Sequence, residues 1–409
     1  MEPIKIILIG AGQRGNCYAN YALNHPGDIK IVGVAEPHKA RREAFVKKYD
    51  IPAENVVHTW EDVFKRDKWA DAVMICTQDN MHYGPAMAAI AQGYDILLEK
   101  PIAPTEKECT EIAEAAAKAG VKVVVCHVMR YTPFFSKIKE IVESGEIGDI
   151  VTYVHNENVG NVHHSHSFAR GNWRNSDESC PMILAKSCHD MDCIQWLVDK
   201  ECLALTSFGS LKYFCKDYCP ENAPLRCTDG CTAECSYDAR KLYLESDSEW
   251  FRSVAAGHAN PTDEEVEHAI KTGPYGKCVF QTDNNVVDHQ VVNMQFEDGV
   301  TVMFSMASLT PDTSRSIKIM GTKGELKAHT VPHSIKITNF KNYEERELIV
   351  DAGGGHDGGD IGIMKAFVQY LRGELPAEKV SEAGISAKNH RLCFKAEESR
   401  VNGGVLVKL

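Results

Sequence analysis

No apolar run in this 409-residue chain approaches the roughly 20 residues that a membrane-crossing helix needs. Positive charge is in deficit: 45 lysines and arginines face 57 acids, a net charge of −12, which disfavours non-specific binding to nucleic acid or an anionic membrane. A small anionic cofactor is not excluded, because local backbone geometry can outweigh the global field. The opening residues, MEPIKIILIG, carry no cationic stretch or cleavage site and run directly into a strand pattern, so a cytoplasmic protein is expected. Paired C-x2-C spacing is missing too. Fifteen cysteines without a signal peptide do not suggest a disulfide scaffold.

What is present is an ordinary globular composition, 44% hydrophobic and 25% charged, with length for two domains. The segment IKIILIGAGQRGNCYANYAL places Gly10, Gly12 and Gly15 between an apolar strand and a helix pattern, with Gln13 and Arg14 inside the turn. That is G-x-G-x-x-G in its meaningful context: a tight turn, close approach of backbone amides to a pyrophosphate, and close helix–strand packing. The next strand, IKIVGVAE, ends in Glu36, 21 residues after Gly15, where an acid accepts hydrogen bonds from ribose hydroxyls and favours NAD over NADP. Arg41 and Arg42 follow at helical spacing and read as a solvated face rather than a 2′-phosphate site. Further strands end in DAVMICTQDNMH and GYDILLEKP. Strands alternating with helices indicate a doubly wound parallel sheet whose tips line the cofactor crevice, which puts Thr77, His82, Glu99 and Lys100 beside the cofactor.

From about residue 127 the pattern becomes long strands with period-two alternation, among them GDIVTYVHNENV, VVDHQVVNMQF and RSIKIMGTKGELKAH. The expected division is a Rossmann NAD-binding domain over 1–126 and an α+β substrate and oligomerisation domain over 127–409, with a cysteine-rich insertion at about 213–240. There Cys227, Cys231 and Cys235 are spaced i, i+4, i+8. With Cys219 or Cys215 they form either a structural zinc site or a set of unligated packed thiols.

The turn GAGQRG, the acid after the second strand, EKP at 99–101, HVMRYTPFFSKIKEIVESGEIGDIVTYV and CHDMDCIQWLV together resemble the glucose–fructose oxidoreductase/inositol dehydrogenase (Gfo/Idh/MocA) family. The resemblance implies an open, mostly antiparallel second sheet, covered by helices on one face and commonly meeting another subunit on the other, hence a homodimer or homotetramer. It implies that Lys100 contacts substrate and nicotinamide, that Glu99 shapes the cofactor site, and that His189 faces the substrate. A neutral imidazole there can accept a hydroxyl proton. Many members carry an Asp four residues before this His; here that position is Ala185, followed by Lys186, with Asp192 as an alternative orienting partner. Trp173 and Arg174 resemble the segment reaching cofactor or substrate, although a surface ion pair is an equal reading of Arg174. The Gly-rich loop DAGGGHDGGD makes His356 a substrate contact, with Asp360 secondary and His289 a weaker candidate. His163, His164 and His166 match no strong metal signature and read as a loop over the pocket. The expected activity is NAD-dependent hydride transfer from a hydroxyl of a sugar, glycoside or cyclic polyol. A redox glycosidase and a non-catalytic NAD-binding regulator are the alternatives.

Overall fold

A computed structural model describes residues 2–409. Six strands, β1 (Ile4–Ile9), β2 (Ile29–Ala35), β3 (Val56–Val57), β4 (Ala72–Ile75), β5 (Asp95–Leu98) and β6 (Val123–Val125), form a parallel sheet in the order β3-β2-β1-β4-β5-β6. The order reverses between β1 and β4, and that switch point opens a crevice at the carboxyl ends of the strands. Strands buried on both faces are expected to be continuously apolar, and Ala72–Ile75 and Ile6–Ile9 are.

The second sheet has nine strands: β7 (Ile150–Asn158), β8 (Cys202–Ser210), β9 (His289–Phe296), β10 (Thr301–Ala307), β11 (Ser314–Gly321), β12 (Gly324–Thr330), β13 (His333–Asn339), β14 (Glu345–Ile349) and β15 (Val407–Lys408). Their order is β14-β13-β12-β11-β7-β10-β9-β8-β15. Among the described residues β7 and β10 are its one parallel pair. Alternation sorts the side chains: on β9, Val292, Met294 and Phe296 are buried whereas His289 and Val291 are exposed. Helices Pro133–Glu143, Cys188–Val198 and Ala383–Val401 supply the apolar cover for the buried face.

Two features add to the sequence expectation. Helix Gly359–Leu371 returns to the first domain, where Ile363, Met364 and Phe367 pack with Leu8, Met74, Leu97 and Val124. A parallel sheet must bury both faces, so a cut at 126 does not separate two independent cores. The insertion is also longer than 213–240. It occupies 211–288 and folds as a lobe with two small cores, one around Phe214, Tyr237 and Phe280, the other around Tyr243, Val266 and Ile270. Its ends meet, because Ser210 and His289 are cross-strand partners on β8 and β9.

Among the described residues no helix is long and apolar enough to cross a membrane. Nor do any three His, Cys, Asp or Glu side chains there gather closely enough to hold a metal ion. Of the two readings of Cys219, Cys227, Cys231 and Cys235, a zinc site is not shown among the described residues: all four are unbridged thiols. Local packing engages two of them. Cys227, largely buried, lies 3.8 Å from the Arg170 guanidinium, and the Cys235 sulfur accepts the Tyr237 amide at 3.4 Å.

Candidate active site

The site is built where the carboxyl ends of β1, β2, β4 and β5 meet the helix Cys188–Val198 of the second domain. Gly10 has φ +93°, and a Cβ there would fall 2.6 Å from the Cys76 carbonyl oxygen, so the turn after β1 can pass between strands only as glycine. A Cβ on Gly15 would lie 2.2 Å from the Gly10 carbonyl oxygen, whereas one on Gly12 would meet nothing within 4 Å. Gly12 thus faces open space, as a turn that admits a pyrophosphate must. At the tip of β2 the buried Glu36 carboxylate accepts the Ala11 and His38 amides, both at 2.8 Å. Each oxygen keeps a lone pair for a ribose hydroxyl. Both nearby guanidiniums are engaged by backbone carbonyls: Arg41 Nε donates to that of Gly257 at 2.8 Å, and Arg42 Nη1 donates to those of Glu36 and Pro37. These residues fit NAD.

Arg14 is a hub rather than a free cofactor ligand. Its guanidinium donates to Glu99 Oε1 at 2.9 Å, to Asp360 Oδ1 at 2.6 Å and to the Tyr18 hydroxyl at 2.5 Å. It therefore joins the glycine turn, the tip of β5 and the first turn of helix Gly359–Leu371. Burial disfavours the Glu99 carboxylate, but Arg14 and Lys100 outweigh it and hold its pKa below the usual range. Asp360 is likewise held well down: against burial act hydrogen bonds from His356 and Arg14. His356 Nδ1 stands 3.0 Å from Asp360 Oδ1 and 3.1 Å from Arg14 Nη1, with the side chain still partly exposed.

Lys100 reaches across the domains. Its Nζ donates to the Ala185 carbonyl at 2.8 Å and stands 5.8 Å from the centre of the Trp173 ring. Burial opposes its charge, but the neighbouring Cys188, Glu99 and Asp79 keep its pKa above the ordinary value, so it is an ammonium donor. His189 is the converse. Burial first, then the charges of Lys100, His127, His356 and Arg315, push its pKa well down. It is a neutral imidazole with Nδ1 buried and unpartnered, which leaves Nε2 as its accessible nitrogen.

The expected orienting partner does not serve. Asp192 is taken by Arg130 in a two-point ion pair at 2.5 and 2.7 Å and by Asn389 at 2.7 Å. A carboxylate beside the Ala185 gap comes instead from β7: Glu157 Oε1 lies 3.2 Å from Lys186 Nζ, and its Oε2 accepts the Ser187 hydroxyl at 2.7 Å. Arg315, its cross-strand partner on β11, bridges Glu157 at 2.9 Å to Asp190 at 2.6 Å, and Asp190 in turn holds His155 at 2.8 Å. Burial and the Asp190 charge push the Glu157 pKa up. Glu157 and Arg315 escaped sequence reading, although two polar residues, His155 and Glu157, at alternate positions facing the core of one strand are a signal.

Other expected residues lie elsewhere. His82 is fully buried, with Nδ1 2.7 Å from the Pro101 carbonyl oxygen, and braces the turn after Lys100 instead of touching a cofactor. His390 does the same from the other side, accepting the Ile102 amide at 3.2 Å. Thr77 stands at the tip of β4, its hydroxyl donating to the Met81 carbonyl. Arg174 is consumed by Asp283 at 2.8 and 2.9 Å and by Glu178 at 2.9 Å, so the ion-pair reading holds. Trp173 donates to Asp79 at 2.9 Å and so ties the second domain to β4. His289 sits on the open face of the second sheet, paired with Asp288 and away from the crevice. The three clustered histidines form short helical turns, not a loose loop. His164 pairs with Ser308 at 2.6 Å, His166 with the Tyr243 hydroxyl at 2.9 Å, and the His163 ring meets the edge of Trp250.

Comparison with known proteins agrees with this geometry. The chain is similar to YteT of Bacillus subtilis, 26% identical over 351 residues that cover 81% of this chain and 80% of that one. It is similar to the inositol 2-dehydrogenase of Salmonella typhimurium, 26% identical over 201 residues, spanning 48% of this chain and about half, 55%, of that enzyme. Its fold matches the crystal structure of an inositol dehydrogenase homologue complexed with NAD+ from Azotobacter vinelandii, with TM-score 0.72 and 14% identity over 100% of this chain and 98% of that one. Residues 4–127 match the description "Oxidoreductase family, NAD-binding Rossmann fold", and residues 139–387 match "Oxidoreductase family, C-terminal alpha/beta domain". With a glycine turn and an acid at one end of the crevice and Lys100 bonded to the segment before His189 at the other, the chain belongs to the Gfo/Idh/MocA oxidoreductase family.

Proposed function

We propose that the protein is an NAD-dependent dehydrogenase that oxidises a secondary hydroxyl of a sugar, glycoside or cyclic polyol. The observation that carries this reading is the reach of Lys100 across the domains to the segment that carries His189. Lys100 donates to the Ala185 carbonyl, four residues before His189, and its charge is among the causes that keep the imidazole neutral. When bound, NAD supplies the hydride acceptor. Lys100, an ammonium, donates a hydrogen bond to the hydroxyl oxygen and favours its alkoxide form. His189 Nε2 accepts the hydroxyl proton. Lys186, steadied by Glu157, and His356, steadied by Asp360, present polar groups that orient the remaining hydroxyls. Many hydroxyls need many donors, and this crevice gathers two ammonium groups and two imidazoles. Glu36, with Arg41 and Arg42 turned towards backbone carbonyls, favours NAD over NADP.

The glycine-rich turn before Gly359 favours a second reading, a glycosidase using the same redox chemistry in a closed cycle. His356 and Asp357 there adopt φ of 45° and 53°, a backbone held close to the crevice by the Arg14 hub. Oxidation at C3 would acidify the C2 proton, and elimination, hydration and re-reduction would complete the turn. The test is a panel of inositols, hexoses, uronic acids and aryl glycosides with NAD+, followed at 340 nm and by aglycone release. NADH formation that Lys100→Met abolishes while NAD still binds supports the dehydrogenase. Cleavage without net NADH moves the protein to the second reading. NAD binding with silence in both channels across the panel, unaltered by Lys100→Met, sinks both in favour of a regulator.

The open face of the second sheet exposes Val151, Leu203, Phe208, Val291 and Met303, and a second copy of the chain is the proposed cover. Light scattering that finds only monomer at micromolar concentration counts against this.

A further inference from the structure

We infer that the inserted lobe at 211–288 forms the outer wall of the dinucleotide site, with Trp250 closing over the glycine turn and Gly257 docking on Arg41, so that the cofactor leaves slowly. The inference rests on the reading that NAD binds along residues 10–15 and Glu36, and it assigns a role to a segment that the chemistry above does not use.

Two bonds from the lobe reach the first domain at the two ends of the adenosine–pyrophosphate groove. At one end the Trp250 indole N–H donates to Gln13 Oε1 at 3.1 Å, and Gln13 is the first residue of the helix that follows the glycine turn. At the other end Arg41 Nε donates to the Gly257 carbonyl at 2.8 Å, and Arg41 stands five residues beyond Glu36. The helix Glu249–Ala256 runs between these points. At 1.5 Å per residue, the seven steps from Trp250 to Gly257 span about 10 Å, the scale of a pyrophosphate and its ribose. The helix carries Trp250, Phe251, Val254, Ala255 and Ala256, yet none of its residues is fully buried. An apolar helix across a groove is left half-covered, and a dinucleotide in the groove would complete its cover.

Trp250 is also aimed. Its ring meets His163 at 5.3 Å and His166 at 4.9 Å between centroids. His163 lies close enough to Lys186 for that charge to help depress its pKa, after burial. The indole thus joins the cofactor turn to the substrate side. At the nicotinamide end a second bridge closes the groove: Trp173 and Ser179 donate to Asp79, and Asn80 donates to the Glu178 carbonyl. A dinucleotide lying beneath both bridges cannot depart without parting one of them.

The experiment uses the full chain loaded with NADH. Excess NAD+ is mixed in a stopped-flow instrument, and the loss of bound NADH fluorescence gives the dissociation rate for wild type, Trp250→Ala and Arg41→Ala. Each variant is expected to release NADH at least tenfold faster than wild type, with unchanged binding stoichiometry. The two residues lie on different domains, so a folding defect in one does not remove the test, and a melting curve identifies it. Saturable NADH binding with dissociation within twofold of wild type in both variants overturns the wall while leaving the cofactor site intact. If wild type shows no saturable NADH binding, the cofactor reading falls and the wall with it.

Discussion

Replacing Arg14 by Met tests how the site is held together. The guanidinium is the shared partner of two buried carboxylates, Glu99 at the tip of β5 and Asp360 in helix Gly359–Leu371, more than 250 residues apart in the chain. It also lies over the Tyr18 ring at 4.5 Å, and a methionine side chain can keep part of that packing while losing the charge. Removing one partner of a buried ion pair costs about 3–5 kcal/mol, because the surviving carboxylate stays buried without its counter-charge. Here Glu99 retains the Tyr18 hydroxyl and the Lys100 amide, and Asp360 retains His356, which places the loss at the lower end of that range. Unfolding entropy of about 2.1 cal/mol/K per residue over 409 residues is about 0.9 kcal/mol/K. A loss of about 3 kcal/mol then lowers the melting temperature by about 3–4 °C. Circular-dichroism melts of wild type, Arg14→Met, Asp360→Asn and the double variant at one scan rate measure it. The double variant should recover at least about 1 kcal/mol relative to the sum of the singles, as expected for groups in direct contact. A single variant melting within 1 °C of wild type, with no coupling to Asp360, would refute the hub.

Acid lability should be pronounced. Burial pushes His127 and His164 down to about 4 and His166 and His390 to about 3, against 6.5 for the free side chain. Between pH 6.5 and about 4 the unfolded chain binds protons that the folded chain refuses, so stability is fully present above 6.5 and falls with pH through that window. At pH 5 the slope is about 1.2–1.3 kcal/mol per pH unit for each histidine, and urea midpoints that stay flat from pH 7 to 5 contradict this. Glu36→Gln should weaken NAD binding by about tenfold to a hundredfold, the worth of a hydrogen bond to a charged acceptor, and titration calorimetry showing unchanged affinity removes Glu36 from the site.

The first domain was legible because its signals are local. A parallel strand announces itself by an apolar run, and the glycine turn and Glu36 are fixed by spacing along one stretch of chain. Lys100 was legible for the same reason, at a strand tip followed by proline. What the sequence left open or missed involves partners distant in the chain. Arg174 meets Asp283 across 109 residues, and nothing near it in the chain distinguishes that carboxylate from a phosphate. His82 ends a segment that approaches the crevice, but its ring turns inward to the Pro101 carbonyl. Glu157 could stand in for the acid missing at Ala185 only because β7 and the helix Cys188–Val198 pack together, a contact that no periodicity encodes. The thiols at Cys227, Cys231 and Cys235 had metal-like spacing but found Arg170 and backbone groups instead.

The lobe leaves and re-enters the sheet at Ser210 and His289, residues that face each other on neighbouring antiparallel strands. Paired positions of that kind stand about 5 Å apart, a gap that a two-residue turn can close. The 78 residues between them, 211 to 288, are therefore a graft on a hairpin. The hydrogen bonds of β8 and β9 do not depend on what the graft contains. Evolution, or an engineer, could exchange it for another lobe and alter what covers the crevice while Lys100, His189 and the strands beneath them stay in register. Such a fold can change its guest without rebuilding its hearth.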